Sequence, residues 1–431
     1  MAHDPAHEAA SDHDAPLTAP ALVPVTESQR FAELDLLRGV AVLGILAMNI
    51  RSFAAPFAVY MNPTLREGFN EGASRWAYLL TAVLFDTKML SLFSLLFGAG
   101  AVMWLSKRTA SGKPVLGLWM RRMFWLLVIG CIHAYLIWEG DVLVPYALCG
   151  ILVLSWARRL PPMWLIALGC VMVAIGGLCW VWIGLGIKHG GEGAEQAIEW
   201  FEPSPDALQR EVDVYRGAYS EIVAFRAPRV LAGQIRFFLF WMLWRAGGMM
   251  LIGAGLMKLG FLTGRFSRRV YGASAIALLS VGGGLAAAGA LRLEAIGYHA
   301  PQRMFVDQFN YAGSALMAVG YAALFIWLYK GGLLGGAGRA LAATGRMAFT
   351  NYLAQSVICT FIFYGYGGGL FGRPDYAEQL LVVLGVWALQ LAWSPWWLAR
   401  YHFGPMEWAW RSLTYWRIQP LSRRGEPTAA G

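Results

Sequence analysis

The chain has 431 residues, of which 58% are hydrophobic and 14% charged, and its mean hydropathy is +0.49. Soluble domains are about half apolar and about a quarter charged, so this composition excludes an ordinary soluble protein. Because only helices and closed barrels satisfy their backbone groups in lipid, and the apolar runs are long and continuous, it predicts an all-α, polytopic helical bundle in a lipid bilayer. The net charge of +9 occurs without a basic, aromatic-rich polar domain. It therefore indicates membrane orientation, and no nucleic acid is expected as a partner.

The amino-terminal 30 residues differ from the rest of the chain. Residues 1–30 are rich in Ala, Pro, Asp and His and lack the basic and apolar segments of a signal peptide. They are predicted to be a disordered cytoplasmic tail. Residues 31–425 are predicted to form a single transmembrane helical domain, and residues 426–431 the end of a second cytoplasmic tail.

Long apolar runs follow the tail, and they predict about ten spans, since about 20 apolar residues cross the hydrocarbon core. The predicted spans are residues 34–55, 76–106, 123–138, 142–158, 162–186, 231–257, 270–291, 312–330, 346–366 and 378–399. The second run is too long for one straight span. Either it crosses as one helix, or residues 76–85 form an interfacial or re-entrant piece that leads into residues 89–105.

Lys and Arg are concentrated in alternate loops, which predicts that those loops and both chain termini lie in the cytoplasm. The long outer loop, residues 187–230, is expected to contain a helix that Pro205 opens. Its apolar positions recur every three or four residues: Leu208, Val212, Tyr215, Tyr219 and Val223. The helix is predicted to lie on the outer membrane surface, either as a lid over a site or as a connector.

Ionisable side chains inside spans are costly, so they are the first candidates for function. In the first span, Asp35 and Arg38 share a face near the inner boundary, while Asn49 and Arg51 lie near the outer boundary. Two structural alternatives stay open. The first pair could be an ion pair at the start of a helix, and Asn49 could form an interhelical hydrogen bond.

The densest polar group lies in GCIHAYLIWEGDVLVPYALCG, residues 130–150. His133 precedes a turn that carries Glu139 and Asp141 by about one and a half helical turns. An imidazole beside a carboxylate is suited to proton abstraction at neutral pH, so these three residues are the candidate catalytic group. The alternative is a histidine satisfied by a neighbouring helix, with both acids capping the turn.

Further polar positions lie in three other apolar segments: Asp86 and Lys88, Arg236 and Arg245, and Asn351, Tyr352, Gln355 and Ser356. Arg245 lies near the middle of its predicted span, so an anionic partner is expected. Asp86, Asp141 and a bound phosphate or carboxylate all remain open as that partner. All five cysteines lie in apolar runs without CxxC pairing, so no metal site is predicted.

Several segments resemble the YeiB-like family of bacterial inner-membrane proteins, which has an uncharacterised domain. They are LDLLRGVAVLGILAMNI, KMLSLFSLLFGAG, GCIHAYLIWEGDVLVPYALCG, VYRGAYSEIVAFR, GRMAFTNYLAQS, FYGYGGGLFG and FGPMEWAWRSLTYW. The resemblance covers residues from about 30 to 425. It implies a multi-pass protein of the bacterial inner membrane.

That family is more distantly similar to membrane acyltransferases, namely the O-antigen acetylases and the heparan-glucosaminide acetyltransferase. The shared element is the first-span pattern of an acid, an Arg-Gly pair and a polar residue near the far end. Many bacterial acetylases have a histidine at that far position, where this chain has Asn49. The resemblance implies transfer of an acyl group from acyl-CoA to an envelope glycan or lipid-linked acceptor, and His133 would have to supply the base.

The leading hypothesis is therefore an acyltransferase in which His133 acts as the base and Asp141 or Glu139 assists it. The candidate substrate-binding residues are Arg38, Asn49, Arg51, Asp86, Lys88, Arg236, Arg245, Asn351 and Gln355. The rival hypothesis is a secondary transporter in which Asp86, Lys88, His133 and Arg245 form a proton or substrate path. A non-catalytic assembly protein is the third.

Overall fold

A computed structural model describes residues 31–109 and 115–423 of the chain. The predicted tails, residues 1–30 and 426–431, lie outside the described residues. Within the described ranges the regular structure is helical, and the one strand-like contact is an isolated bridge between Tyr401 and Ser422. The predicted all-α fold is confirmed.

The helices follow one another with short connections. In chain order they are α1 (Ala32–Ala54), α2 (Phe57–Met61), α3 (Gly72–Leu84), α4 (Lys88–Thr109), α5 (Val115–Ile132), α6 (Leu143–Cys149), α7 (Ser155–Ala157), α8 (Pro162–Lys188), α9 (Ala194–Phe201), α10 (Pro205–Tyr215), α11 (Tyr219–Phe237), α12 (Leu243–Leu259), α13 (Arg268–Ala295), α14 (Ala300–Lys330), α15 (Gly335–Arg346), α16 (Ala348–Phe363), α17 (Tyr376–Leu398) and α18 (Pro405–Tyr415). π-Helical turns follow α5, α6 and α11, at His133–Ile137, Gly150–Leu154 and Phe238–Met242.

Eight stretches of the described chain are long and apolar enough to cross a membrane. They are Ala32–Ala54, Gly72–Ser106, Val115–Ile137, Pro162–Lys188, Tyr219–Leu259, Arg268–Ala295, Ala300–Lys330 and Tyr376–Leu398. Two shorter apolar helices, Leu143–Ala157 and Ala348–Phe363, occupy the remaining predicted positions. The chain is thus a multi-pass membrane protein, while ten crossings with both ends inside stays a prediction.

Several helix boundaries differ from the sequence prediction, and three of the differences bear on the polar segments. The helix predicted over residues 231–257 begins at Tyr219, and the one predicted from residue 312 begins at Ala300. The run predicted over residues 346–366 is preceded by a separate helix that ends at Arg346. Hydropathy missed these extensions because their first turns are polar and are stabilised by contacts with other parts of the chain.

The long second run is divided, as one of its two interpretations predicted. α3 ends at Leu84 and α4 begins at Lys88, and Thr87 between them has a positive φ of 63°. A left-handed residue other than glycine interrupts a helix. Whether α3 enters the membrane from one side stays a prediction.

Glycines bring the central helices α4 and α12 into backbone contact. A Cβ atom on Gly98 would lie 1.9 Å from the Met250 carbonyl oxygen, and one on Gly253 would lie 1.9 Å from the Leu95 carbonyl oxygen. No larger residue fits at either position. Glycine at these two positions therefore permits the close approach of the two helices.

The loop predicted over residues 187–230 contains the expected helix start but not one continuous helix. Ser204 caps α10 by accepting a hydrogen bond from the Ala207 amide, and Pro205 is its first residue. α10 ends at Tyr215, and α11 begins at Tyr219, so the five apolar positions do not share one face. Val212 and Tyr215 are buried in a cluster that includes Trp138. α10 therefore packs on the protein beside the turn that follows His133.

Candidate functional site

A chain of three hydrogen-bonded side chains lies in the interior of the bundle. The His133 Nδ1 atom is 2.8 Å from Asp141 Oδ1, and its Nε2 atom is 2.9 Å from Ser356 Oγ. His133 and Ser356 are each 1% exposed. Asp141 is held in place because its Oδ2 atom accepts a 2.7 Å hydrogen bond from the Val144 amide at the start of α6. We call these three side chains the His133 chain.

The local backbone explains how the chain is assembled. α5 changes into a π-helical turn at His133, and the Trp138 amide donates to the His133 carbonyl at 2.8 Å. Such single π-helical turns are frequent at functional sites, since they redirect a side chain without ending the helix. The short turn before α6 then returns Asp141 to the imidazole, and α16 brings Ser356 to its other side.

Arg226 on α11 supports this turn from outside. It is fully buried, and it donates to the carbonyl oxygens of Ile137, at 2.7 Å, and Tyr135, at 3.1 Å. Carbonyl groups at the end of a helix have no partner within it, so they need donors of this kind. Arg226 therefore fixes the segment that carries His133.

The contacts of His133 fit one tautomer of a neutral ring beside an ionised Asp141. An ionised carboxylate can only accept, so Nδ1 carries the proton that it donates to Asp141. In the neutral ring Nε2 then has a free lone pair, and the Ser356 hydroxyl donates to it. This order of acid, imidazole and hydroxyl is the arrangement in which a histidine activates a serine or another hydroxyl for attack.

Aromatic rings enclose the imidazole. The Tyr352 ring lies 5.2 Å from it, and the Trp138 ring lies edge-on at 6.1 Å. The Tyr352 hydroxyl oxygen accepts a 3.3 Å hydrogen bond from the Val142 amide. These rings and the burial of His133 place the His133 chain in a low-dielectric environment, which strengthens the electrostatic interactions within it.

Of the two candidate acids, Asp141 contacts His133, and Glu139 makes no ion pair with it in the described structure. Glu139 is partly buried in the same turn. Burial raises the pKa of the Glu139 carboxyl, and the neighbouring Glu211 adds to the shift. The catalytic role predicted for Glu139 therefore lacks the direct contact that Asp141 has.

The candidate residues of the first span, Arg38, Asn49 and Arg51, do not share partners in the part of the chain that the structure describes. Arg38 pairs with Asp35 at 3.0 Å, which is the helix-start ion pair that one alternative described. Asn49 is buried, and its side chain forms no hydrogen bond with any of residues 31–109 and 115–423. Arg51 donates to the Tyr78 carbonyl oxygen at 2.8 Å.

Asp86 and Lys88 belong to a second polar region. Asp86 accepts a 2.9 Å hydrogen bond from the Tyr60 hydroxyl. Lys88 donates to the Ala82 carbonyl oxygen at 2.6 Å and to the Asn310 side chain. Asp86 also lines a small cavity whose other polar side chains are Tyr78, Tyr298, Arg303, Asp307 and Asn310. Asp86 and Lys88 do not contact the His133 chain.

The contacts of Arg245 differ from those that the sequence predicted. Neither Asp86 nor Asp141 pairs with it, and no carboxylate of the described chain lies within ion-pair distance. Arg245 instead donates to the Tyr311 carbonyl oxygen, at 2.7 Å, and to the hydroxyls of Ser91 and Ser314. Asp86 and Asp141 are therefore wrong as partners, because neutral oxygens from α4 and α14 contact the guanidinium, while a bound phosphate or carboxylate as partner stays a prediction. Arg236, on α11, is exposed.

Asn351 and Gln355 form a polar network between α16 and its neighbours. Asn351 donates to the Thr344 carbonyl at 3.0 Å and accepts from the Trp393 indole at 2.8 Å. Gln355 donates to the Val42 carbonyl at 3.1 Å and to the Gln390 side chain at 2.9 Å. Their contacts are with protein groups, so their predicted role in substrate binding stays a prediction.

Sequence reasoning missed two residues of this site. Ser356 was one of several polar positions in its helix and had no assigned role, and Arg226 stood in the outer-loop motif VYRGAYSEIVAFR without one. A serine in an apolar helix gives no signal in the sequence, because its hydroxyl usually bonds to its own backbone. Arg226 could have been found, since it is a cation near the start of a long apolar run.

Comparisons with known proteins place the chain in a family. A protein-family model described as "Protein of unknown function (DUF418)" matches residues 256–417. The chain is 33% identical to "Uncharacterized protein YeiB" of Escherichia coli strain K12 over 394 residues. These aligned residues are 90% of this chain and 96% of that protein. The chain belongs to the YeiB-like family. The family resemblance drawn from the motifs is confirmed.

A second YeiB-like relative is similar over a comparable length. "Uncharacterized protein YxaH" of Bacillus subtilis strain 168 is 30% identical over 417 residues, which are 94% of this chain and 98% of that protein. An uncharacterized 39.9 kDa protein of Bacillus acidopullulyticus is 24% identical over 403 residues, 94% of this chain and 99% of its own. No solved structure matches the chain. Similarity to acyltransferases stays a prediction.

Proposed function

We propose that this YeiB-like membrane protein transfers an acyl group to a hydroxyl acceptor, with His133 as general base and Asp141 as the residue that fixes its tautomer. One observation carries the proposal. A buried imidazole donates to a carboxylate through Nδ1 and meets a hydroxyl through Nε2, at 2.8 and 2.9 Å. That arrangement removes a proton from a hydroxyl as the hydroxyl attacks a carbonyl carbon.

The chemistry of the site suits acyl transfer better than hydrolysis. His133 and Ser356 are shielded from water, so an activated acyl group would meet the intended acceptor before it met water. The first-span resemblance to membrane acetylases supports acyl-CoA as donor and an envelope glycan or lipid-linked sugar as acceptor. The bacterial relatives support the inner membrane as the location.

Replacement of His133 tests the proposal. We expect the purified His133→Ala variant, given acyl-CoA and a membrane lipid and glycan extract, to acylate the acceptor about 10²–10⁴ times more slowly than wild type. Mass spectrometry of the extract measures the acylated product. The control is His299→Ala, because the His299 side chain is 65% exposed and lies outside this site. A folded His133→Ala protein that acylates at the wild-type rate would refute the proposal.

A secondary transporter is the second candidate, and the polar cavity supports it. Asp86, Arg303 and Asp307 line that cavity between apolar helices, where ionisable groups commonly mark proton or solute paths. The path predicted from the sequence also included His133, but Asp86 and Lys88 bond to other groups, so this alternative leaves His133 out of the path. Under it, Asp86→Asn abolishes proton-coupled uptake of solute into proteoliposomes and His133→Ala leaves uptake unchanged. If the protein is an acyltransferase instead, His133→Ala abolishes formation of the acylated product and Asp86→Asn leaves it unchanged.

A further inference from the structure

We propose that Ser356 is the nucleophile of this reaction, so that the acyl group passes through a covalent Ser356 ester. The inference rests on the proposed acyl transfer, and it changes the order of events. Donor and acceptor then react one after the other with the same serine, instead of directly with each other. Neither the sequence motifs nor the relatives assign a role to Ser356.

The position of Ser356 fits a nucleophile more closely than a structural serine. Its Oγ lies 2.9 Å from His133 Nε2, whereas its hydrogen bond to the Tyr352 carbonyl, four residues earlier, is 3.4 Å long. A serine whose proton goes to its own helix makes that bond short: Ser94 donates to the Leu90 carbonyl at 2.8 Å, while the Tyr146 hydroxyl, at 2.7 Å, can be the donor in the other contact of Ser94. The Ser356 hydroxyl is therefore directed at the imidazole.

The first half of the reaction loads the serine. Ser356 Oγ attacks the thioester carbonyl carbon of the donor, and its proton moves to His133 Nε2. The bond between the carbonyl carbon and sulfur then breaks, and the thiolate leaves with the proton from Nε2. An acyl ester on Ser356 and a free thiol are the products, so charge and protons balance.

The second half of the reaction transfers the acyl group from Ser356 to the acceptor. The acceptor hydroxyl gives its proton to His133 Nε2 and attacks the ester carbonyl carbon, and the bond to Ser356 Oγ breaks. The serine takes the proton back from Nε2 and is restored. Asp141 stabilises the imidazolium that forms in both halves through the 2.8 Å contact with Nδ1.

Tyr352 is the group to which this inference assigns stabilisation of the negative charge on the carbonyl oxygen. It lies one helical turn before Ser356, and its ring is 5.2 Å from the imidazole. Its hydroxyl oxygen accepts from the Val142 amide, and its own proton has no acceptor among the described residues. That proton is available to an oxyanion formed at Ser356.

The surroundings indicate where an acyl chain would approach. Ile132 directly precedes His133 and is 51% exposed, and Val357 directly follows Ser356 and is 53% exposed. Both lie on the apolar outer surface of the bundle. The two helices thus turn His133 and Ser356, each 1% exposed, inward and their neighbours toward the bilayer. The transferred group that this inference assigns is an apolar acyl chain that reaches the site from the bilayer.

An alkyl fluorophosphonate with a long chain tests the nucleophile directly. On attack an O–P bond forms at Ser356, the P–F bond breaks, and fluoride leaves with the serine proton by way of His133. We expect mass spectrometry of the full-length protein in detergent to place the adduct on Ser356. Labelling should be absent in Ser356→Ala, fall at least about 100-fold in His133→Ala, and stay unchanged in Ser94→Ala, the matched buried serine. Absence of an adduct from wild type overturns the inference.

Acyl transfer by the same variants separates this inference from the proposed function. Loss of transfer in both His133→Ala and Ser356→Ala, with an acyl ester trapped on the Ser356 peptide of wild type, supports both. Transfer that persists at the wild-type rate in folded Ser356→Ala and is lost in His133→Ala overturns the covalent route alone. An adduct on Ser356 without acyl transfer in any protein keeps the nucleophile and overturns the proposed function. Tyr352→Phe should lower transfer about 10-fold or more and leave the unfolding temperature close to that of wild type.

Discussion

Two fully buried polar regions of this protein differ in the chemistry of their partners. In the His133 chain, a titratable ring lies between a carboxylate and a hydroxyl. We call the second region the Arg245 cluster: Arg245 with Ser91, Ser314 and the Tyr311 carbonyl. There a permanent cation is held by neutral oxygens. The comparison teaches that burial of an ionisable group is not by itself a reason to propose a reactive site, whereas an acid and a hydroxyl aligned on one imidazole are the arrangement on which the proposal rests.

The Arg245 cluster has a structural explanation. Its guanidinium joins α12 to Ser91 of α4 and to two positions of α14, and it lies 4.6 Å from the Tyr311 ring centre. A planar group with five donors can bridge three helices in this way, and the aromatic face adds a favourable cation–π interaction. These contacts support a role in helix packing, and the substrate-binding role predicted from the sequence stays a prediction.

The sharpest test of this contrast is removal of the Arg245 guanidinium. Arg245→Met leaves a buried carbonyl and two hydroxyls with fewer partners, and we expect the free energy of unfolding to fall by about 3 kcal/mol. Thermal unfolding in detergent measures the change. Arg236→Met is the matched control, because Arg236 is an exposed arginine of the same apolar stretch and should change stability by less than about 0.5 kcal/mol.

The same variant can also refute the contrast. Folded Arg245→Met protein should still form the fluorophosphonate adduct at Ser356 at a rate close to that of wild type. A variant that keeps its stability but no longer acylates the acceptor would place Arg245 in the substrate site. The division between a packing cluster and a reactive chain would then be wrong.

Arg226 offers a second test, because it acts on the His133 chain without touching it. Arg226→Gln removes the donors to Ile137 and Tyr135, so the turn that carries His133 should become less well positioned. We expect acyl transfer about 10–100 times slower with a small change in KM, since a misplaced base affects the chemical step. Product formation at varied donor concentration measures both constants.

Arg229→Gln is the control for this prediction. Arg229 lies on the same helix, but its side chain is 51% exposed and pairs with Glu211. Its removal should leave the rate within about two-fold of wild type, as expected for an exposed ion pair. Equal loss of rate in both variants would mean that α11 matters only through its overall charge.

Most of the fold was predictable, but only part of the candidate site was. Apolar runs identify helices because the bilayer requires them, whereas the start of α14 at Ala300 is polar and depends on tertiary contacts such as the bond from its amide to Glu202. His133 and Asp141 stand out as ionisable groups eight residues apart. Ser356 lies 223 residues from His133 in sequence, and nothing in an apolar helix indicates which serine will meet a distant imidazole. The choice of Asp141 over Glu139 depends on the geometry of one turn.

The smallest effect expected concerns the helix that carries Ser356. Glu407 of α18 caps α16 from outside, since its Oε1 atom accepts from the amides of Phe349, at 2.8 Å, and Thr350, at 3.2 Å. Loss of such a cap costs about 1 kcal/mol, so Glu407→Ala should lower the free energy of unfolding by about that amount and shift Ser356 slightly. Thermal unfolding measures it.

The pH dependence of the same cap separates its charge from its hydrogen bonds. Burial raises the pKa of the Glu407 carboxyl above its ordinary value of 4.5, so the folded protein binds this proton more tightly than the unfolded chain does. The contribution of Glu407 is therefore most favourable below pH 4.5 and declines as pH rises through the raised pKa. Glu407→Gln keeps an acceptor oxygen but cannot titrate. The free energy of unfolding of wild type minus that of Glu407→Gln should thus fall as pH rises. If this difference rises instead, the amides of α16 stabilise the ionised carboxylate by more than burial destabilises it.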